Sequence, residues 1–174
     1  RSWLVVFERL LCSCLEHGTQ LTEAGLALSI DRHSDETILL FRTDGAAFRK
    51  YLYAPTDPQI ACDALYFYKS GDKDPVLVFV ELKGANLTHA LDQLQATIGA
   101  VKPRVEAAVP KTIQYLALVV SDGARPTTRL NRQREFTNKT QVDVRIVTTQ
   151  RGKKPVDLRR ILRSLKALEP FVAE

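Results

Sequence analysis

The chain has 174 residues, 45% of them hydrophobic and 26% charged, with a net charge of +5. That length suits one domain, residues 1–174, with its own core; the longest apolar runs are strand-sized, which excludes a membrane-spanning helix and a membrane partner. The charge is uneven: residues 1–123 hold 12 Lys/Arg against 15 Asp/Glu, whereas residues 124–166 hold 13 against 3, so the basic third points either to a polyanionic partner or to a solvated positive face.

Trp3, Val6, Phe7, Leu10, Leu11, Cys14 and Leu15 form a helical stripe, with Gly18 where a helix stop is expected. A strand-like run, residues 37–41, ends in the turn signal Asp44-Gly45. Residues 45–59 give a short helix or a loop, broken by Pro55 and Pro58. The aromatic-rich segment 61–68 reads as a strand, residues 70–75 as a hairpin turn, and 76–83 as a continuous apolar strand covered on both faces and ended by Gly84.

Asn86 or Thr88 caps a helix that places Leu91, Leu94, Ile98 and Val101 on one face. Residues 113–120 form another buried strand, closed by Ser121-Asp122-Gly123. A long polar connection then leads to a strand nearer an edge, residues 142–147. The last helix turns Leu158, Ile161, Leu162, Leu165 and Leu168 inward and Arg159, Arg160, Arg163 and Lys166 outward. The order αβββαββα, a meander followed by a helical crossover, predicts an α/β fold with a mixed sheet flanked by helices.

The chain opens on Arg1 and contains no Met, so it reads as a piece excised from a longer protein. No signal peptide is evident. Cys12, Cys14 and Cys62 are odd in number and lack zinc spacing. They are expected to be buried reduced thiols in a cytoplasmic protein, and the sequons at Asn86 and Asn138 then carry no glycan.

One constellation carries chemistry. Asp63 falls in one apolar strand, and Glu81 and Lys83 end the next. Side chains two apart on a strand share a face, about 6.6 Å apart along the backbone. Glu81 and Lys83 therefore project together, and a hairpin pairing brings Asp63 beside Glu81. Two carboxylates about 4 Å apart repel by about 4 kcal/mol at an effective dielectric near 20. Lys83 offsets part of this and a divalent cation offsets it fully. Oxygen ligands suit Mg²⁺ or Mn²⁺, with the Leu82 carbonyl as a third donor. The predicted reaction is phosphodiester hydrolysis, with Lys83 orienting water or balancing phosphate charge.

Asp63, seventeen intervening residues and then Glu81-Leu82-Lys83-Gly84 resembles the PD-(D/E)xK motif of restriction-endonuclease-like nucleases. The resemblance covers residues 61–98, with Cys62 in the place of the name's proline. It implies a restriction-endonuclease-like fold, a catalytic set of Asp63, Glu81 and Lys83, metal ligation by Asp63, Glu81 and Leu82, and a Gln brought in by the following helix. Gln93 is the candidate for that residue and Gln95 the reserve. The tyrosine of RecB-like members is missing, and Glu8 is either a metal-assisting acid or a surface one. Arg125, Arg129, Arg132 and Arg134 are the candidates for salt-sensitive contacts to nucleic acid.

The scattered His17, His33 and His89 have no metal-ligand spacing, and neither a nucleotide-binding loop nor a nucleophile elbow occurs. The leading expectation is a Mg²⁺-dependent DNA endonuclease of a restriction, repair or defence system. Its rival is an inactive nucleic-acid-binding or interaction domain of the same fold. A second copy of the chain and other domains of a longer protein stay open as partners.

Overall fold

In the computed structural model the described residues are 12–46, 48, 49, 60–84, 86–108, 112–123 and 126–165, with backbone alone for 126–129 and 165. Eight strands and three helices occur among them. They are β1 Gln20–Glu23, β2 Leu26–Ser29, β3 Glu36–Arg42, β4 Ala64–Ser70, β5 Val76–Lys83, α1 Leu87–Ala108, β6 Gln114–Ser121, α2 Pro126–Thr140, β7 Asp143–Thr148, β8 Val156–Asp157 and α3 Leu158–Leu165.

The main sheet runs β3-β4-β5-β6-β7. β3, β4 and β5 form an antiparallel meander, while β5, β6 and β7 are parallel neighbours joined through α1 and α2. The fold is thus α/β with a mixed sheet. The unbroken apolar run of β5 has the expected cause: Val76 to Leu82 are all buried, between an antiparallel neighbour on one edge and a parallel one on the other. Because β5, β6 and β7 run together, their carboxyl ends, at Lys83, Ser121 and Thr148, lie at one end of the sheet.

Each face has its own core. On one, Phe79, Leu65 and Val119 pack with Leu91, Leu94, Ile98 and Val101 of α1 and with Phe136 of α2. Crossovers of one hand that advance in one direction deposit their helices on the same face, and α1 and α2 share this cluster. On the other, Tyr66, Val78, Val80 and Leu118 meet Leu158 and Leu162 of α3 and the hairpin residues Leu21, Leu26 and Leu28. Tyr66 ties that hairpin down by donating its phenol to Thr19 O at 3.1 Å.

Several expectations need correction. The β1–β2 hairpin adds to the expected elements: Leu21, Leu26, Leu28 and Ile30, all buried, surround a turn at Ala24-Gly25, where φ is +48° and +80°. Leu28 and Ser29 also pair in parallel with β8, which makes a second, three-stranded sheet. The polar connection after β6 is in fact the helix α2. It has almost no apolar stripe, and Phe136 is its buried anchor; Pro126 opens it and Glu135 pairs with Lys139 at 2.9 Å one turn on.

Residues 1–11 of the opening stripe lie outside the described residues, as do Leu168 and Lys166. Cys14 and Leu15 are not helical. Arg42 N donates to Cys14 O at 2.8 Å and Leu15 bridges Phe41, so this segment lines the β3 edge. Cys62 is buried but Cys12 is exposed, against the expectation of buried thiols; all three are free. Arg159, expected outward, is buried and paired with Glu36. Among the described residues no helix is long and apolar enough to cross a membrane.

Candidate active site

β4 begins at Ala64 rather than at residue 61, so Asp63 sits just ahead of its strand. Ala64 pairs with Val80, and one further step along this antiparallel ladder sets residue 63 against residue 81. Two hydrogen bonds close that step. The Asp63 amide donates to Glu81 Oε2 at 3.2 Å, and the Leu82 amide donates to Asp63 Oδ2 at 2.7 Å. Leu82 thus enters the site through its amide, while its side chain faces the opposite core.

Glu81 and Lys83 share a face, as two-residue spacing on a strand requires, and their charges lie 3.5 Å apart. The Lys83 ammonium spends its hydrogen bond elsewhere, donating to Gln93 Oε1 at 3.2 Å. Gln93 in turn donates to Ala61 O at 3.0 Å. Between Gln93 and Gln95 the geometry chooses Gln93; Gln95 is exposed. Asn86 is the helix cap, its Oδ1 accepting from His89 N at 3.1 Å.

Glu81 Oε1 is buried and accepts no hydrogen bond, in a residue only 1% exposed. Burial, reinforced by the facing Asp63 carboxylate, pushes Glu81 up to about 8. Burial likewise raises Asp63 to about 6, the Leu82 amide opposing and the carboxylates of Glu23 and Asp44 adding to it. Burial and the closeness of the two acids therefore favour protonation of the pair.

Cys62 is fixed from both sides. Its amide donates to Thr97 Oγ at 2.8 Å, Thr97 donates to Gln93 O at 2.9 Å, and Thr43 Oγ donates to Cys62 O at 2.5 Å. Thr43 N also donates to Asp63 O at 3.0 Å. Burial holds the Cys62 thiol up near 12, so it is no nucleophile; it is a packed residue whose backbone aims Asp63. Thr43 and Thr97 were missed in the sequence. The signal for Thr97 was its place four residues after Gln93, on the same helix face; Thr43 had none.

The arginines of the basic third separate. Arg125 lies outside the described residues. Arg129, Arg132 and Arg134 ride on α2 rather than on a loop. Arg132 is within 3.6 Å of Glu135, Arg134 is exposed, and neither is bonded to Asp63, Glu81 or Lys83. Glu8 also lies outside the described residues. His17, His33 and His89 are exposed.

Compared with protein-family models, with curated proteins and with solved structures, the chain finds no match in any of the three. What it can do therefore rests on its own chemistry. Among the described residues no group of three or more His, Cys, Asp or Glu side chains is placed to hold a metal. The donors at this site are two carboxylates and backbone oxygen. Hard oxygens, one of them buried, without a hydrogen-bond donor and only 3.5 Å from the Lys83 ammonium, fit a hard divalent cation better than a soft metal.

Proposed function

We propose that this chain is a metal-dependent nuclease domain of the restriction-endonuclease-like type, hydrolysing phosphodiester bonds in DNA with Mg²⁺ or Mn²⁺. The observation that carries the reading is the buried Glu81 carboxylate, set against Asp63 with one oxygen lacking any hydrogen-bond donor. A fold gains nothing by burying such a pair, and sites of this kind cluster where a ligand completes them.

Asp63 and Glu81 would hold the ion, with the Leu82 carbonyl as third donor. When bound, the ion supplies Lewis-acid charge for the phosphate and for the attack on it. The chain's own residues do the rest. Gln93, steered by Ala61 O, keeps the Lys83 ammonium beside Glu81. There Lys83 can orient a water or take up phosphate charge. The order of parts also supports the reading: an acid heading one strand, Glu-x-Lys ending its neighbour, and a Gln-bearing helix directly after.

The test is a cleavage assay on supercoiled plasmid, linear duplex and single strands, with Mg²⁺ or Mn²⁺ and with EDTA. The wild type is expected to cut only with metal, and Glu81→Ala and Lys83→Ala are each expected to abolish cutting while still melting cooperatively. A variant that cuts at the wild-type rate would refute the site. A wild type that binds DNA yet never cuts it would favour the inactive binding domain.

A further inference from the structure

We infer that Arg151 forms a second phosphate-binding position at this site, taking a backbone phosphate beside the one that is cut; the inference rests on the nuclease reading above. Arg151 lies in the loop after β7, at the sheet end where β5, β6 and β7 all finish. That loop is pinned at two points, by Thr149 N donating to Ser121 O and Gly152 N to Gly25 O, each at 2.9 Å.

Two glycines lie against its side chain. A Cβ on Gly25 would stand 3.5 Å from Arg151 Cβ and 3.7 Å from its Cγ, so the stem lies along the β1–β2 turn. A Cβ on Gly84 would stand 3.2 Å from Arg151 Nη2, so the guanidinium lies over the end of β5. Gly84 directly follows Lys83, the last residue of β5. Lys83 and Arg151 therefore meet at the same strand end. A nucleic-acid strand laid across that end meets both cations.

The guanidinium is also oriented. Asp122 holds it by Nε, which leaves both Nη groups without a hydrogen bond among the described residues. The side chain is 59% exposed. An exposed ion pair of this kind contributes little to stability. A fork presented to solvent beside a phosphoryl site is the arrangement that binds phosphate in two-point fashion. Residues 124–166 carry 13 Lys/Arg against 3 Asp/Glu, and Arg151 is the member of that set whose guanidinium is seen against the residue after β5 among the described residues. It was absent from the arginines singled out in the sequence because a loop residue 68 positions after Lys83 carries no local signal.

The test uses the full chain in EDTA, so that binding is read without cleavage, with fluorescence anisotropy on a short labelled DNA duplex and on its single strand across a salt series. Arg151→Ala is expected to weaken binding about 10-fold and to lower the slope of log affinity against log salt by about 1. Arg151→Lys should keep that slope and lose less affinity, and Gly84→Ala should fall between by displacing the guanidinium. The inference is overturned if Arg151→Ala binds with wild-type affinity and slope, or if Ala and Lys variants weaken alike with the slope unchanged, which would mark a structural role. A wild type with no affinity for either probe at low salt would bring down the nuclease reading as well.

Discussion

Glu36 and Glu81 are both glutamates with side chains no more than 5% exposed, yet their surroundings are opposite. Glu36 Oε1 accepts from Tyr68 at 2.7 Å and from Arg159, and Oε2 accepts from Arg159 Nη2 at 2.7 Å. Those donors, the guanidinium first, hold it down to about 2. Glu81 has one backbone donor on Oε2 and none on Oε1, and it is pushed up to about 8. The same side chain is saturated where it joins α3 to the sheet and left short of donors where β4 meets β5. A buried acid that completes its own hydrogen bonds is structural. One left incomplete against a second acid has no such structural completion, and this supports the proposed cation site.

The contrast breaks first at Arg159. Arg159→Ala leaves Glu36 with Tyr68 as its side-chain donor and should destabilise the fold by about 3 kcal/mol at neutral pH, read from urea unfolding. Because Glu36 ionises more easily folded than unfolded, this contribution is whole above its ordinary range near 4.5 and fades as pH falls toward 2. A cost under about 1 kcal/mol would make the pair an ordinary surface bridge.

Glu81 should show the reverse sign. Its folded value lies above the ordinary one, so metal-free protein keeps this contribution whole below pH 4.5 and loses it as pH rises through about 8. Asp63 adds a smaller loss in the same direction, complete above about 6. Between pH 5 and pH 8 the Glu81 loss is on the order of 3 kcal/mol. Glu81→Gln should flatten the profile and be the more stable protein at pH 8. Parallel profiles for the two proteins would remove the contrast between the glutamates.

How much of this was legible in the sequence follows from the kind of signal each part leaves. β5 and α1 declare themselves because burial on both faces, and a four-residue apolar stripe, are properties of consecutive residues. The pairing of Asp63 with Glu81 follows from the turn between β4 and β5, whereas Gln93 rests only on the family resemblance, with Gln95 as the reserve. α2 was hidden because a solvated helix anchored by Phe136 has no stripe to read. The partnership of Arg159 with Glu36 spans 123 residues, and that of Arg151 with Gly84 is likewise made by the fold alone. Helical pattern placed Arg159 outward, since pattern shows a face but not which distant acid waits beneath it.

The claim on which the rest depends is that Asp63 and Glu81 together bind a divalent ion in place of a proton. Calorimetric titration with Mn²⁺ at pH 6 and pH 8 tests it without any substrate. One Mn²⁺ per chain is expected, bound more tightly at pH 8, with proton release at the lower pH and with affinity reduced more than about 10-fold in Asp63→Asn. Absence of binding at both pH values, or an Asp63→Asn protein that binds as the wild type does, would contradict the account.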